Sequence, residues 1–517
     1  MPTIEKVRLR NFKRFSDIAI GFHKGVNLLI GDNESGKTTV LVALDLVLSG
    51  SRTKVETMGL NNIFNMNAIA EFLGGSRRID LLPVLLVEVH FSEMHNPELN
   101  GTNNSEGRMA DGIALHCEID DEYSGEVQSI LASGSQDFPF EYYKIYFDTF
   151  AAASYSSHRK ALRHLYIDNS QANGDYATRQ YIGDIYNAYV DKSTDHRIRS
   201  EYRNTKNKFA SENLNSINTK TGSYQFAIRS DSKSNLEHDL TLMEHNIPIE
   251  YKGRGRQCFA KTDFAMRKSP GQIDAVLLEE PENHLSHVNT RRLVEKIASN
   301  TDRQLFVATH NNLIASRLNL KNLIILDTQS QAHMRLRDLS DDTANFFLKA
   351  PDHNVLEFVL SKKVILVEGD AEYILFDQFF NDIAGKSADS ESVNIISVDG
   401  LSFKRYLDIA VALKIKVAVV RDNDGDPTKT CQENYANYIR EHIEIFYDND
   451  PLRSTFEICL YQDNKDLCTE LFGKGRRKRT VEEYMLAEKS EAALRLLAEK
   501  CIAVPDYIKR AIKWISA

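Results

Sequence analysis

Hydrophobic and polar positions along the first 50 residues predict three strands followed by a helix. Residues 4–12 and 18–22 alternate between apolar and polar, whereas residues 26–30 form the continuous apolar run that is typical of a buried strand. A helix is predicted to begin at Lys37, because four apolar side chains then share one face: Val40, Leu41, Leu44 and Leu48. Further strand-like segments follow at 84–91, 113–119 and 142–147.

Short apolar strands and helices alternate between residues 271 and 340, and again after a boundary at 340–361. Alternation of this kind predicts mostly parallel sheets with helices on both faces, which is an α/β fold. The interval 151–245 differs, because it is polar and its pattern predicts helices at 157–165, 178–189 and 195–213. We interpret this interval as a mainly helical insertion and as a candidate dimerisation element.

Length and charge narrow the class of protein. A chain of 517 residues suggests two or three domains. The net charge of −9 does not indicate a nucleic-acid binder, so any such binding has to come from a local patch. The basic run 474–479 is one candidate, and a solvated charged loop is the alternative.

Six scattered cysteines without a CxxC pair disfavour a structural zinc site and a disulfide framework, and they fit a reducing cytosol. The first residues lack an apolar signal region, and no stretch approaches the roughly 20 apolar residues of a membrane helix. A cytoplasmic protein without membrane contact is therefore predicted.

The segment Gly31–Thr38 reads GDNESGKT, a phosphate-binding loop placed between an apolar strand and a helix. Its glycines allow backbone N–H groups to turn toward phosphates. Lys37 is predicted to reach the terminal phosphates, and the Thr38 hydroxyl is predicted to hold magnesium. The predicted nucleotide-binding residues of this loop are Asn33, Gly36, Lys37, Thr38 and Thr39.

A second apolar strand, residues 275–278, leads directly into Glu279 and Glu280. Glu279 is predicted to contact magnesium, directly or through water, and Glu280 to act as general base toward the attacking water. Two acids after a strand could instead mark a solvent-facing turn, but the continuation Pro-Glu-Asn-His-Leu disfavours that alternative.

Four segments together resemble the ABC-type ATPases of recombination and chromosome maintenance: Asn11–Phe15, Gly31–Thr38, Glu279–Leu285 and Ala308–His310. The resemblance implies that ATP is bound between two heads, each completed by a signature motif from its partner. It also implies that His310 lies near the terminal phosphate.

The best signature candidate is the segment 252–257, which departs from the family pattern. Only Gly255 and Gln257 match, and no serine precedes them. These two residues are predicted to contact nucleotide. ATP binding and pairing of heads are therefore expected more firmly than fast hydrolysis.

Two later strands also end in carboxylates. Residues 364–367 lead into Glu368, and residues 417–420 lead to Asp422 and Asp424. Carboxylates from neighbouring strand ends suit hard Mg²⁺ or Mn²⁺ ions, and two such ions can stabilise both oxygens of a phosphodiester displacement. A polar turn is the alternative for either cluster alone. The predicted catalytic and metal-binding residues here are Glu368, Glu372, Asp422 and Asp424.

These C-terminal segments resemble a Toprim domain. An ABC head in front of a Toprim domain is similar to the OLD (overcoming lysogenisation defect) family of endonucleases. The resemblance implies that Glu457 supplies a further acid for a second metal, and that Lys489 stabilises charge on the cleaved phosphate. Ordinary surface positions on helices are the alternative for these two residues.

The sequence thus predicts an ABC-type P-loop ATPase domain with an inserted helical element, followed by a Rossmann-like Toprim domain. The predicted limits are 1–150 and 246–345 for the two ATPase halves, 151–245 for the insertion and 360–517 for the Toprim domain. The function implied is that of an ATP-binding DNA endonuclease with Mg²⁺ or Mn²⁺, acting as a homodimer or larger assembly. A non-catalytic ABC-type DNA clamp and a topoisomerase- or primase-like enzyme are the rivals.

The resemblance further implies a role in antiphage defence. Partners implied in that setting are a retron reverse transcriptase with its RNA–DNA product, or a helicase.

Overall fold

A computed structural model describes residues 2–92, 96–133, 137–157, 160–170, 181–183, 185–186, 190–221, 224–228, 236–266, 273–299, 302–327, 333–336, 339–349, 354–398, 403–473, 479–499 and 501–517. The chain divides into two compact units. The first comprises Met1–Ile314 and Leu326–His333, and the second comprises Ala315–Ile325 and Met334–Ala517. The domain limits predicted above stay predictions, and most of the basic run 474–479 lies outside the described residues.

The first unit begins with an antiparallel sheet in the order β2-β1-β4-β6-β5, with β7 also pairing with β6. Its strands are β1 (Ile4–Phe12), β2 (Phe15–Gly21), β4 (Leu85–Phe91), β5 (Asn100–Gly101), β6 (Ala110–Ile119) and β7 (Tyr143–Thr149). Buried positions alternate with more accessible ones along β7 and along much of β1, as expected for strands with one face on a core. The strands predicted near the N-terminus and at 84–91, 113–119 and 142–147 are therefore confirmed.

Four parallel strands of the first unit position the nucleotide site. They run in the order β3-β12-β11-β8 and are β3 (Val26–Ile30), β8 (His164–Asp168), β11 (Ala275–Glu279) and β12 (Gln304–Ala308). Every residue of β11 and β12 is buried, which explains their continuous apolar runs. Because parallel strands end at the same edge of a sheet, the residues that follow β3, β11 and β12 meet there.

The helices that begin in the first unit are Lys37–Ser49, Arg52–Met58, Leu60–Ile63, Met66–Gly74, Ser124–Ala132, Lys192–Asn213, Asn215–Asn218, Leu236–Asp239, Arg254–Met266, His287–Ala298 and Asn312–Arg317. Two short strands, β9 (Met243–Glu244) and β10 (Ile247–Pro248), form a hairpin. Strands β13 (Leu323–Leu326) and β14 (His333–Arg335) fall where the division between the units runs.

The insertion is less uniformly helical than its pattern predicts. The helix predicted over 195–213 is confirmed, and the Asp191 side chain caps its start by accepting a hydrogen bond from the Thr194 amide. The helix predicted over 157–165 is wrong, because its described residues, 157 and 160–165, contain no helix, and β8 begins at His164 and pairs with β11. Most of the helix predicted over 178–189 lies outside the described residues.

The second unit contains a parallel sheet in the order β16-β15-β17-β18. Its strands are β15 (Lys363–Val367), β16 (Val393–Ser397), β17 (Lys416–Val420) and β18 (Ile443–Phe446). Its helices are Asp341–Lys349, Val355–Leu360, Asp370–Ala384, Phe403–Leu413, Phe456–Asp463, Lys465–Phe472, Val481–Ala487, Lys489–Leu497 and Asp506–Ser516. The predicted α/β class is confirmed for both units.

The last helix, Asp506–Ser516, closes the core of the second unit. Its buried side chains recur at helical spacing and are Tyr507, Ile508, Ala511, Ile512 and Ile515. They join the same apolar cluster as β15, β17 and the helix Asp370–Ala384. Strands β15 and β17 are neighbours, so the carboxylates that follow them lie at one edge of this sheet.

None of the helices in the described part of the chain has both the length and the apolar character that crossing a bilayer requires.

Candidate nucleotide and metal sites

The phosphate loop joins β3 to the helix Lys37–Ser49 and is held by close backbone packing. Gly36 has a φ of 102°, and a Cβ there would meet the ring of Phe15, so only glycine suits this position. The Lys37 amine donates to the carbonyl oxygens of Gly31 at 2.7 Å and Asp32 at 2.9 Å. Burial lowers the pKa of Lys37 from its ordinary value, against the opposing effect of Glu280. The amine of Lys37 therefore lies inside the loop.

Thr38 and Glu279 face each other, as a magnesium site next to the phosphates requires. The Thr38 hydroxyl donates to Oε1 of Glu279, and the Tyr166 hydroxyl of β8 donates to Oε2 of the same carboxylate. Burial raises the pKa of Glu279, because a carboxylate loses hydration there. A hydroxyl and a buried carboxylate are oxygen donors that fit Mg²⁺, which would compensate this charge.

Glu280 and His310 lie at the ends of the neighbouring strands β11 and β12. Glu280 adopts a left-handed conformation with a φ of 43°, and its Oε2 lies 2.7 Å from Nδ1 of His310. A left-handed glutamate is uncommon and marks a turn that directs the side chain. A carboxylate paired with an imidazole at this edge can accept a proton from a water molecule.

Glu282 is a third acid in this region, and its role was not assigned from the sequence. It is only 7% exposed, and its carboxylate accepts a hydrogen bond from the Thr309 hydroxyl. Burial, followed by the charge of Glu280, raises the pKa of Glu282 to about 7.

The signature candidates lie against other parts of the first unit. Gln257 donates to the carbonyl oxygens of Glu250 and Lys252, so its amide stabilises its own turn. Gly255 lies against the backbone of His284, in the turn that follows β11. In the phosphate loop, Asn33 is exposed and Thr39 is buried in the first turn of the helix. Nucleotide contact by these four residues remains a prediction.

Replacing Gly255 by alanine should destabilise the ATPase unit by about 1–3 kcal/mol, because the added Cβ would lie 2.3 Å from the His284 carbonyl oxygen. Thermal unfolding of the variant would measure the loss. Gly253→Ala is the matched control, since a Cβ there has nothing within 4 Å. Equal melting temperatures for the two variants would contradict this packing.

In the second unit, two of the predicted carboxylates meet at the sheet edge. Glu368 follows β15, and its Oε2 lies 3.4 Å from the backbone nitrogen of Asp422, which follows β17. The Asp422 Oδ1 accepts a hydrogen bond of 2.7 Å from the Phe456 amide. That bond ties the strand end to the start of the helix Phe456–Asp463, where Glu457 is the next residue.

The carboxylates of this edge are buried close enough to raise one another's pKa. The pKa of Glu372 is raised to about 8 and that of Asp422 to about 9, first by burial and then by the charges of the neighbouring acids. The pKa of Glu368 is raised mainly by burial. Such a cluster is costly without a cation.

Glu457 and Lys489 form an ion pair with 3.0 Å between Oε1 and Nζ. The Glu457 side chain is buried, and its Oε2 has no hydrogen-bond partner among the described residues. Burial lowers the pKa of Lys489, but Glu457, Asp422 and Glu372 outweigh it and raise the pKa. The lysine is half exposed, so its charge faces both the carboxylates and solvent.

Asp424 occupies a more open position than the other acids. It has a φ of 51° and an exposed side chain that lies 3.3 Å from the Arg421 guanidinium. The intervening Asn423 is buried and donates to the carbonyl oxygens of Asp448 and Asp450. The central asparagine therefore fixes the turn between the two aspartates.

A set of oxygen donors with one unpartnered buried carboxylate oxygen fits hard divalent cations. The residues that would hold them are Glu368, Glu372, Asp422, Asp424 and Glu457.

Two further residues of this site were not predicted from the sequence. Arg421 contacts Asp424 and the Tyr435 hydroxyl, and the pKa of Tyr507 is raised by burial and then by Asp422. Arg421 directly precedes the aspartate pair in the sequence, whereas the position of Tyr507 depends on a contact between distant segments, which no local pattern reveals.

The buried acids predict a pH-dependent stability of the metal-free protein. Glu372 has a raised pKa of about 8 in the folded state, so its protonated form is favoured there and stability falls as pH rises toward that value. Glu372→Gln should remove this loss. In EDTA, the free energy of unfolding of the variant should rise relative to that of the native chain by at most about 1.4 kcal/mol per pH unit between pH 6 and 8. Each kcal/mol corresponds to about 2–4 °C in melting temperature.

Thermal unfolding at several pH values checks this expectation. Glu470→Gln is the matched control, because Glu470 is exposed. If the melting temperatures of the native chain and the Glu372→Gln variant changed equally with pH, the expectation would be contradicted.

Comparison with known proteins gives two family matches within the chain. Residues 359–424 match the family described as "Overcoming lysogenization defect protein-like, TOPRIM domain", and residues 3–240 match an AAA ATPase domain. An OLD nuclease of Thermus scotoductus is 27% identical over 206 residues, which cover 37% of this chain and 38% of that protein. A DNA double-strand break repair Rad50 ATPase of Methanopyrus kandleri is 47% identical over 45 residues, 9% of this chain and 5% of that protein. The chain thus spans less than two-fifths of either relative.

Among solved structures, an SmcHead bound to the C-winged helix domain of ScpA matches with a TM-score of 0.33 and 17% identity, covering 65% of this chain and 98% of that one. The C-terminal region of the Burkholderia pseudomallei OLD protein matches with a TM-score of 0.24 and 18% identity, covering 30% and 96% respectively.

Proposed function

Because the chain is an ATPase–Toprim fusion of the overcoming lysogenization defect (OLD) family, we propose that it is an ATP-binding DNA endonuclease that depends on Mg²⁺ or Mn²⁺. The observation that carries the proposal is the group of buried carboxylates at the edge where β15 and β17 end. Their number and burial exceed what a structural turn requires.

The residues of the second unit have distinct roles in this proposal. Glu368, Asp422 and Asp424 are the core ligands, and Glu372 and Glu457 complete the set. Two divalent cations held there would stabilise the attacking and leaving oxygens of a phosphodiester. Lys489 offers its positive charge to the cleaved phosphate. Its amine is paired with Glu457, and its side chain is half exposed.

The first unit is proposed to bind ATP through Lys37, Thr38 and Glu279, with Glu280 as the general base and His310 beside the terminal phosphate. Hydrolysis is proposed to be slow, since the signature segment lacks its serine. Two heads would pair across ATP, with Gly255 and Gln257 facing the partner's nucleotide, so the working form is a homodimer or larger assembly.

The biological role proposed is that of a nuclease effector in antiphage defence. A retron reverse transcriptase with its RNA–DNA product, or a helicase, is the kind of partner that would hold or trigger it.

Nicking of supercoiled plasmid by the purified chain tests the function. Linear and open-circular products with Mg²⁺ or Mn²⁺, and none in EDTA, are expected. Binding of DNA without cleavage, also in the presence of neighbouring gene products, would favour the clamp. Relaxed but unbroken circles, or primer synthesis, would favour a topoisomerase- or primase-like enzyme.

A further inference from the structure

Three side chains of the first unit converge beside the magnesium pair Thr38 and Glu279. Glu280, Glu282 and His310 each contribute one ligand atom, and these atoms lie within 4.8 Å of one another. The two acids belong to the turn after β11, and the histidine follows the neighbouring strand β12. Parallel pairing of the strands holds the turns at one edge, so the cluster is built by the sheet itself.

Glu282, the buried member of the cluster, lacks donors that a buried carboxylate requires. Glu282 is 93% removed from solvent, as its 7% exposure shows, and Thr309 satisfies its Oε1. Its Oε2 is buried without a hydrogen-bond partner among the described residues. Leaving such an oxygen unpaired is costly, and a second acid, Glu280, lies beside it. A proton or a bound cation has to offset this cost.

We propose that Glu280, Glu282 and His310 form a binding site for a transition-metal dication of the Zn²⁺ class, separate from the magnesium pair Thr38 and Glu279. Imidazole nitrogen and carboxylate oxygen are both ligands of Zn²⁺, which can be held by three protein ligands with an open fourth position. Mg²⁺ prefers oxygen alone. Tetrahedral bonds of about 2.0–2.1 Å place donors roughly 3.4 Å apart, so the 2.7 Å between Glu280 Oε2 and His310 Nδ1 would widen and any separation near the 4.8 Å limit would shorten.

The site would inhibit ATP turnover. This consequence rests on the proposed role of Glu280 as general base, because a metal that ties up Glu280 and His310 leaves no group to accept the proton of water. Lys37 and Thr38 remain free to bind nucleotide. ATP would therefore be bound but not hydrolysed while the metal is present.

Equilibrium dialysis of the full chain against Zn²⁺, in excess Mg²⁺ and without nucleotide or DNA, tests the site itself. The native chain is expected to retain Zn²⁺, and His310→Ala should weaken that binding at least roughly tenfold. The His310 side chain is 62% exposed, so its removal does not threaten the fold. His196→Ala, an exposed histidine on the helix Lys192–Asn213, is the matched control and should bind like the native chain.

Glu282→Gln is a second variant that keeps the shape and removes the charge, and it should also weaken Zn²⁺ binding. Co²⁺ provides an independent signal, since loss of the imidazole changes the visible spectrum of the bound ion. Equal Zn²⁺ affinity for the native chain and His310→Ala would overturn the proposal. Because neither ATP nor DNA is present, this result does not depend on whether the chain is a nuclease.

Discussion

Substitution of Asp422 by asparagine is expected to reduce plasmid nicking by roughly 1000-fold or more. The loss corresponds to about 4 kcal/mol of transition-state stabilisation, the scale expected when charge stabilisation by bound metal is lost. Asp422 is the acid on which the edge depends, because it accepts from the Phe456 amide and its own amide faces Glu368. Asparagine keeps the size of the side chain while removing the charge that a cation needs.

Two quantities are measured: the initial rate of nicking with Mg²⁺ or Mn²⁺, and the melting temperature in EDTA. The variant should fold at least as well as the native chain without metal, since burial of a neutral amide costs less than burial of a carboxylate. Asp466→Asn, at an exposed position of the helix Lys465–Phe472, is the control that should keep full activity. Native-like nicking by Asp422→Asn would refute the assignment of the nuclease site.

Motifs confined to one loop were predictable from the sequence. The phosphate loop lies between β3 and the helix that begins at Lys37, and each part has its own local signal: an apolar run, two glycines and a helical apolar face. The strand before Glu279 is equally clear, because a fully buried parallel strand is apolar throughout. Local propensity and tertiary structure agree in these segments.

Contacts between distant segments were not predictable. Tyr166 donates to Glu279 from β8, a strand inside an interval whose polar pattern indicated helices. Pairing with β11, more than 100 residues later, decides its conformation, and this pairing leaves no local signature. The burial of Glu282 is a similar case, since the motif shows the acid but not the Thr309 hydroxyl or the missing second donor.

Glu457 and Lys489 were predictable only in part. Each is an ordinary helical residue in the sequence, and only the family resemblance assigned it a role. The 3.0 Å ion pair brings them together beside Asp422, which supports those roles without testing them. A site whose members come from strand ends and from two later helices can be found in the sequence only in part.

Replacement of Lys37 by alanine should weaken ATP binding by roughly 100-fold, or about 3 kcal/mol, because charge-assisted contacts to the phosphates are lost. The lysine amine now lies against the carbonyl oxygens of Gly31 and Asp32, inside a loop that also faces Glu279 and Glu280. Without it, phosphate charge would approach the two acids without the positive charge of the lysine. Equilibrium binding of a fluorescent ATP analogue with Mg²⁺ measures the effect.

Lys24→Ala, an exposed lysine before β3, is the control and should bind ATP normally. Unchanged affinity in Lys37→Ala would refute the assignment of the phosphate loop. With affinity lost, the nicking rate of the same variant gives the sign of the coupling between the two units. Faster nicking than the native chain in ATP would mean that bound nucleotide restrains the nuclease, and slower nicking would mean that it activates the nuclease. Because Lys37 belongs to the first unit and Asp422 to the second, the two variants separate nucleotide control from phosphodiester chemistry.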